Sequence, residues 1–294
     1  MSVDVRIREV GPRDGLQAEE PVDVSERVRL IDALAGAGLR EIEAVSFVSP
    51  KAVPSMAGAG DVMAAVTRVP GVRYVALVPN VKGAELALAA QVDALSVTVS
   101  ASPAYNEKNV RMTVDESVDA VAGIAKLAAP LPIDAVVSCA FGSPYEGDID
   151  PADVDALGHR LLDAGATSLT YADTTGMATP RRVDELLDRT GTDVGLHLHE
   201  TRGTALVNAY AAVERGVRRF DTSVGGLGGS PFAAGAAGNL ATEDLVHLLD
   251  DLGLDTGVDL EKLLAVSAQV ATVVGHTVPS RIAAAGPRSR LASA

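Results

Sequence analysis

Short runs of apolar and β-branched residues alternate along this chain with longer stretches in which apolar side chains recur every three or four positions. The short runs fall at residues 5–10, 41–45, 74–78, 94–99, 133–138, 168–172, 195–199 and 219–224, and predict eight strands. The stretches between them carry helix signals. Thr113-Val-Asp-Glu116 reads as a capping box opening the spacing Val118, Val121, Ile124. Asp150-Pro151 and Thr179-Pro180 pair an N-cap side chain with a first-turn proline. Gly36, Gly165 and Gly216 predict helix ends, and Gly71 a turn before the third strand. Eight β-α units with near-continuous apolar strands imply an α/β chain whose parallel sheet closes into a (β/α)8 TIM barrel, one catalytic domain over residues 1–294. Beyond about residue 255, the spacing Leu260, Leu263, Leu264, Val266, Val270, Val273 predicts an additional C-terminal helix. An open doubly wound sheet is the alternative. Against it, Gly11-Pro-Arg-Asp-Gly15 puts a proline and two charges where a dinucleotide fingerprint needs close backbone approach.

Composition narrows the function. The length of 294 residues suits one barrel, and a hydrophobic share of 47% supplies its core. A net charge of −14 argues against nucleic acid as a partner, because phosphate neutralisation needs clustered Lys and Arg. The single cysteine, Cys139, rules out an intrachain disulfide and fits a reducing cytoplasm. Placed in the fifth strand, it reads as a buried structural thiol. There is no apolar run long enough to span a bilayer and no signal-peptide layout at the start, so no membrane partner is expected.

Barrels carry their chemistry at the carboxyl ends of the strands, and the polar clusters of this chain fall there. Arg13, Asp14 and Gln17 follow the first strand, Glu43 lies in the second, Asp173 follows the sixth, His197 and His199 end the seventh, and Asn239 comes after the eighth. On a strand, histidines two apart project to one side. His-x-His alone fits either a metal site or a strand whose histidines bond their neighbours. With Asp14 and Asn239 it makes a mixed nitrogen and oxygen donor set. Oxygen-rich surroundings favour Mg²⁺ or Mn²⁺, and the imidazoles add tolerance of Co²⁺, Ni²⁺ or Zn²⁺. Arg13, beside such a carboxylate, could stabilise an oxyanion. From Ser223 to Asn239 the chain holds six glycines, a density that suits a loop moving over, or lying against, a ligand.

Arg13-Asp14-Gly-Leu-Gln17, Ile42-Glu43-Ala-Val-Ser-Phe-Val-Ser-Pro-Lys51, Val78-Pro-Asn-Val-Lys-Gly83, Ser138-Cys-Ala-Phe-Gly-Ser-Pro-Tyr-Glu-Gly147, Ala172-Asp173-Thr-Thr-Gly176 and Gly238-Asn239-Leu-Ala-Thr-Glu-Asp244 together resemble the 3-hydroxy-3-methylglutaryl-CoA lyase family of the DRE-TIM metallolyases, from residue 5 to about residue 275. The resemblance implies a retro-Claisen cleavage of an acyl-CoA thioester to acetyl-CoA and acetoacetate, in leucine or related branched-acid breakdown. It implies that Asp14, His197, His199 and Asn239 hold a divalent cation. Arg13 would meet the thioester side of the substrate, with Gln17 and Glu43 as support and Asp173 near the substrate or the histidines. A homodimer is expected.

The chain departs from the family at Ser230, which stands where the family carries its acid/base cysteine. A hydroxyl is a far weaker acid than a thiol of pKa about 8.5. Ser230 could position a water, the enzyme could be a slow lyase or take another 3-hydroxyacyl-CoA, or the chain could be a binding protein without turnover. Condensation of an acyl-CoA with a 2-oxo acid, or cleavage of a 4-hydroxy-2-oxo acid, is a further alternative. Glu200 replaces the usual Asp after the second histidine, and Asp134 stands where better-known members are basic. Asp134 opens the fifth strand, away from the catalytic face, so structure or subunit contacts should feel that change. Lys51, Lys108 and Arg111 are candidates for coenzyme A phosphates.

Overall fold

The computed structural model describes residues 3–229 and 238–290. Eight parallel strands close into a barrel in chain order: β1 (Arg6–Glu9), β2 (Glu41–Ser46), β3 (Arg73–Leu77), β4 (Ala94–Ser100), β5 (Ile133–Ser138), β6 (Ser168–Ala172), β7 (Gly195–His197) and β8 (Arg219–Thr222). The doubly wound alternative fails because β1 pairs with β2 on one side and β8 on the other, leaving no open edge. β5 and β6 begin and end where the apolar pattern places them. β7 is shorter than expected. After His197 the chain leaves β8, and His199 bridges to Asn239 instead.

The helices obey their caps. Thr113 Oγ1 accepts from the Glu116 N–H and the Glu116 carboxylate accepts from the Thr113 N–H, which starts the helix Val114–Ala128 and buries Val121 and Ile124. Asp150 and Thr179 accept from Ala152 and Arg182 in the same manner. Gly36 is the last residue of its helix, Val24–Gly36, as expected, and Gly38, at φ +105°, makes the left-handed exit. Past the barrel there are two helices rather than one, Leu260–Val274 and Arg281–Ala285. The second is pinned by Asp244, which accepts from Ser280 Oγ and the Ile282 N–H at 2.8 and 2.9 Å. Among the described residues no helix is long and apolar enough to cross a membrane.

The strands are buried on both faces, yet they are not apolar on both. Outward positions such as Ile42, Leu95, Leu196 and Phe220 join the apolar layer under the helices. Many inward positions are polar, although Val75 and Val136 also face the interior. Parallel register sets Arg8 beside Asp221 and Asp221 beside His197, and Ser96 beside Asp134. Arg8 donates to Asp221 through Nε (2.8 Å) and Nη2 (2.6 Å), and to Asp134 Oδ2 through Nη1 (2.9 Å). Ser168 and Thr170 on β6 also donate to Asp134, at 2.6 and 2.8 Å. Asp134 is thus an interior structural residue on the amino-terminal side of the barrel, as its position in the strand predicts.

Candidate active site

Immediately after β1, Gly11–Gly15 winds into one π-helical turn. The Val10 carbonyl anchors it by accepting from the N–H groups of Arg13, Asp14 and Gly15 at 3.1, 2.7 and 3.2 Å. Turns of this kind lift side chains out of the helical path and are frequent at functional sites. Here Arg13 and Asp14 are lifted over the barrel mouth. Glu43, buried on β2, takes Arg13 Nε and Nη2, while Asp14 takes Nη1, so the guanidinium is clamped from two sides. Ser96 Oγ on β4 donates to the other Glu43 oxygen.

The two histidines converge although β7 stops at the first of them. Their Nε2 atoms lie 3.1 Å apart, and His197 Nε2 is 3.9 Å from Asp14 Oδ2. Asn239 Nδ2 donates to Asp14 Oδ2 and to the Leu227 carbonyl, both at 2.8 Å. Asn239 Oδ1 and His199 Nδ1 are buried and have no hydrogen-bond partner among the described residues. Asp14, His197 and His199 form a cluster whose donor atoms all lie within 4.8 Å of one another, a set able to hold a divalent cation. The spacing fits such an ion. Two imidazole nitrogens ~2.1 Å from one cation, on adjacent octahedral corners, sit about 3.0 Å apart.

The electrostatics agree. Burial would raise the Asp14 carboxyl, but Arg13 and the two imidazoles outweigh it and hold Asp14 below its ordinary range. Burial and the neighbouring His197 push His199 down to about 3, which leaves a neutral ring suited to a metal. Burial would also lower His197, but the Asp221 and Asp14 carboxylates prevail and raise it.

Two glycines allow the segment that carries Asn239 to come this close. At Gly228, with φ +114°, a Cβ would stand 2.4 Å from Asn239 Nδ2. At Gly238 it would stand 1.8 Å from the Gly226 carbonyl oxygen. Ser230 lies between them, outside the described residues.

The remaining candidates are placed as follows. Asp173 is buried past the end of β6, and its Oδ1 accepts from the Met177 and Ala178 N–H groups at 2.6 and 2.9 Å. Its Oδ2 is buried without a partner among the described residues, and burial pushes its carboxyl up to about 7. It organises its own loop and makes no side-chain hydrogen bond to the histidines. Among the described residues, the Gln17 contact is through its carbonyl, which accepts from Ser55 Oγ at 2.8 Å. Cys139 is not within the fifth strand but one residue past it, at φ +56°, and its N–H donates to Thr174 Oγ1. Burial pushes its thiol up to about 12, so it remains the inert structural thiol expected. Glu200 accepts from the Ala205 N–H and from Arg281, a structural role. Lys108 packs its ammonium 4.0 Å from the centre of the Tyr145 ring. The pattern reading missed Asp221, whose Oδ2 lies 3.3 Å from His197 Nδ1. Its signal was a carboxylate in a strand expected to be apolar.

An acid, two imidazoles and an amide, meeting beside a clamped guanidinium at the carboxyl end of a closed barrel, define a metal-site (β/α)8 enzyme of the DRE-TIM kind. The HMGL-like family model matches residues 4–270, and the chain belongs to that family, the hydroxymethylglutaryl-CoA lyases, which are carbon–carbon lyases. It is 40% identical to the 3-hydroxy-3-isohexenylglutaryl-CoA/hydroxymethylglutaryl-CoA lyase of Pseudomonas aeruginosa, over 96% of each chain. It is 43% identical to the mitochondrial hydroxymethylglutaryl-CoA lyase of Mus musculus, over 96% of this chain and 89% of that one. Among solved structures, an HMG-CoA lyase from Acinetobacter baumannii, in complex with coenzyme A and 3-methylmalate, superposes with a TM-score of 0.94 at 40% identity, covering 99% of this chain and 97% of that one.

Proposed function

We propose that this enzyme cleaves 3-hydroxy-3-methylglutaryl-CoA, or a close 3-hydroxy-3-alkylglutaryl-CoA, to acetyl-CoA and a 3-oxo acid such as acetoacetate. The observation that carries the reading is the convergence of Asp14, His197, His199 and Asn239 beside Arg13. Those four residues would hold Mg²⁺ or Mn²⁺. A bound divalent cation supplies Lewis acidity that makes the substrate's tertiary hydroxyl easier to deprotonate. Once a water in the site takes that proton, the alkoxide collapses to the ketone, the carbon–carbon bond breaks and its electron pair leaves with the thioester fragment as an enolate. Arg13, held still by Glu43 and Asp14, presents N–H donors to the enolate oxygen. Glu43 acts as the brace that keeps this guanidinium in place, and Gln17 and Asp173 line the surrounding pocket. The enolate carbon must then gain a proton. Ser230 stands at the family's cysteine position, and its weak acidity makes it a holder of the donating water rather than the acid itself. The reaction would serve leucine or related branched-acid breakdown in a reducing cytoplasm.

The C3 substituent is the open choice, because the P. aeruginosa relative is named for a methyl and for an isohexenyl substrate. A panel of 3-hydroxy-3-alkylglutaryl-CoA thioesters, assayed for acetyl-CoA with Mg²⁺ and with Mn²⁺, tests the proposal. Release of acetyl-CoA from at least one thioester is expected. A metal-loaded sample that cleaves none of them overturns it, and product formation only from an acyl-CoA plus a 2-oxo acid would replace it with the condensing reading.

A further inference from the structure

The polar layer inside the barrel has no obvious purpose in stability. Such interiors are ordinarily filled with branched apolar side chains. Burying a guanidinium and two carboxylates costs desolvation that apolar residues of the same volume would avoid. Yet Arg8, Asp134 and Asp221 are all buried, and nearly every polar atom among them is engaged. Asp134 is saturated by Ser168, Thr170 and Arg8, with Arg219 Nη1 at 4.0 Å. Both oxygens of Asp221 accept from Arg8, and Oδ2 also faces His197 Nδ1 at 3.3 Å. A carboxylate tied in this way to a guanidinium can only accept. In the neutral ring, His197 Nδ1 must therefore carry the hydrogen, which leaves Nε2 bare, 3.1 Å from His199 Nε2.

We propose that Arg8 and Asp221 are positioning residues for the cation site: the Arg8 guanidinium fixes the Asp221 carboxylate, which fixes the ring plane and tautomer of His197 so that the Nε2 lone pair points at the cluster. This rests on the reading of His197 as a metal ligand. It also accounts for Asp134 in a family whose better-known members are basic at that place. The positive charge enters from β1 instead of β5 and reaches both carboxylates.

The direct test is the tautomer of His197 in metal-free protein, read by long-range ¹H–¹⁵N correlation in alkaline buffer where the ring is neutral, with the signal assigned by its loss in His197→Gln. The expected state is Nδ1–H. Asp221→Asn replaces the acceptor with an amide that can donate, and should switch the ring to Nε2–H, as the wrong tautomer arises in a serine-protease triad. Mn²⁺ affinity should fall by about 10- to 100-fold, the usual cost of losing a partner that orients a ligand. Arg8→Leu should also weaken Mn²⁺ binding, and Arg8→Leu with Asp134→Arg should restore it, by returning a guanidinium to Asp221 from the opposite strand. An Nε2–H ring in the wild type, or a folded Asp221→Asn protein with unchanged tautomer and Mn²⁺ affinity, overturns the proposal. Should Asp221→Asn not fold, the wild-type tautomer and the double variant decide it. A wild type that binds no Mn²⁺ but keeps a ring switched by Asp221→Asn would sink the metal reading alone.

Discussion

A hydroxyl and a thiol differ by several pKa units, and in this chain that difference falls at residue 230. In the proposed mechanism, where Ser230 would hold the donating water, proton delivery to the enolate would be the slow step. Ser230→Cys should therefore raise kcat by about 10- to 100-fold, within the range of a well-matched general acid, with little change in KM. Steady-state assays of the two proteins check this, and an unchanged kcat would show that protonation is not limiting. Single residues were the most legible level of the site in the sequence. Asp14, His197, His199 and Asn239 are chemically conspicuous, and each lies at or beyond the end of a strand. Asp221 and Arg8 were not found, because a charge inside a strand reveals its partner only once register is known. Gln17 and Asp173 were legible as rim residues, but their local bonds were not: Ser55 Oγ donates to the Gln17 carbonyl, and the Asp173 carboxylate ties down its own loop.

β1 carries adjacent charges that face opposite ways. Arg8 points into the barrel, and Glu9 points out toward the helix Thr242–Asp251. Glu9 Oε1 accepts from the Gly11 and Val224 N–H groups at 2.7 and 2.8 Å, and its Oε2 lies 2.6 Å from Thr242 Oγ1. It thereby joins the turn after β1 to the segment after β8. Burial, with a smaller push from Glu243, raises the Glu9 carboxyl from 4.5 to about 8 despite those hydrogen bonds. The folded protein then keeps a proton that the unfolded chain has released. The stability this contributes is complete below about pH 4.5 and is lost as pH rises through about 8. Glu9→Gln keeps the shape and a donor toward Thr242 but cannot ionise. Its melting temperature relative to the wild type should rise steadily from pH 5 to pH 8 or so, as read by thermal unfolding across that series. Parallel curves would show that Glu9 is already ionised in the folded state. At this scale the sequence was legible wherever local chemistry decides: the Thr113 capping box, and β5 and β6. It was less so where a partner decides, as at β7, which ends early because His199 pairs with Asn239.

Closure of the barrel is what turns scattered residues into a site. Asp14 and Asn239 are 225 positions apart and are hydrogen-bonded because β8 returns to β1. Alternation of strands and helices was enough to predict that closure. The polar interior was not predicted, since two-sided burial of a strand does not say which side is apolar. The account as a whole requires one cation to be shared by residues from three places on the rim. Anomalous diffraction from crystals soaked in Mn²⁺ measures this most directly. The predicted result is a single strong peak about 2.0–2.3 Å from an Asp14 oxygen, the facing nitrogens of His197 and His199, and Asn239 Oδ1. An ion bound elsewhere, or no ion at saturating Mn²⁺ with those four side chains in their present places, would contradict it.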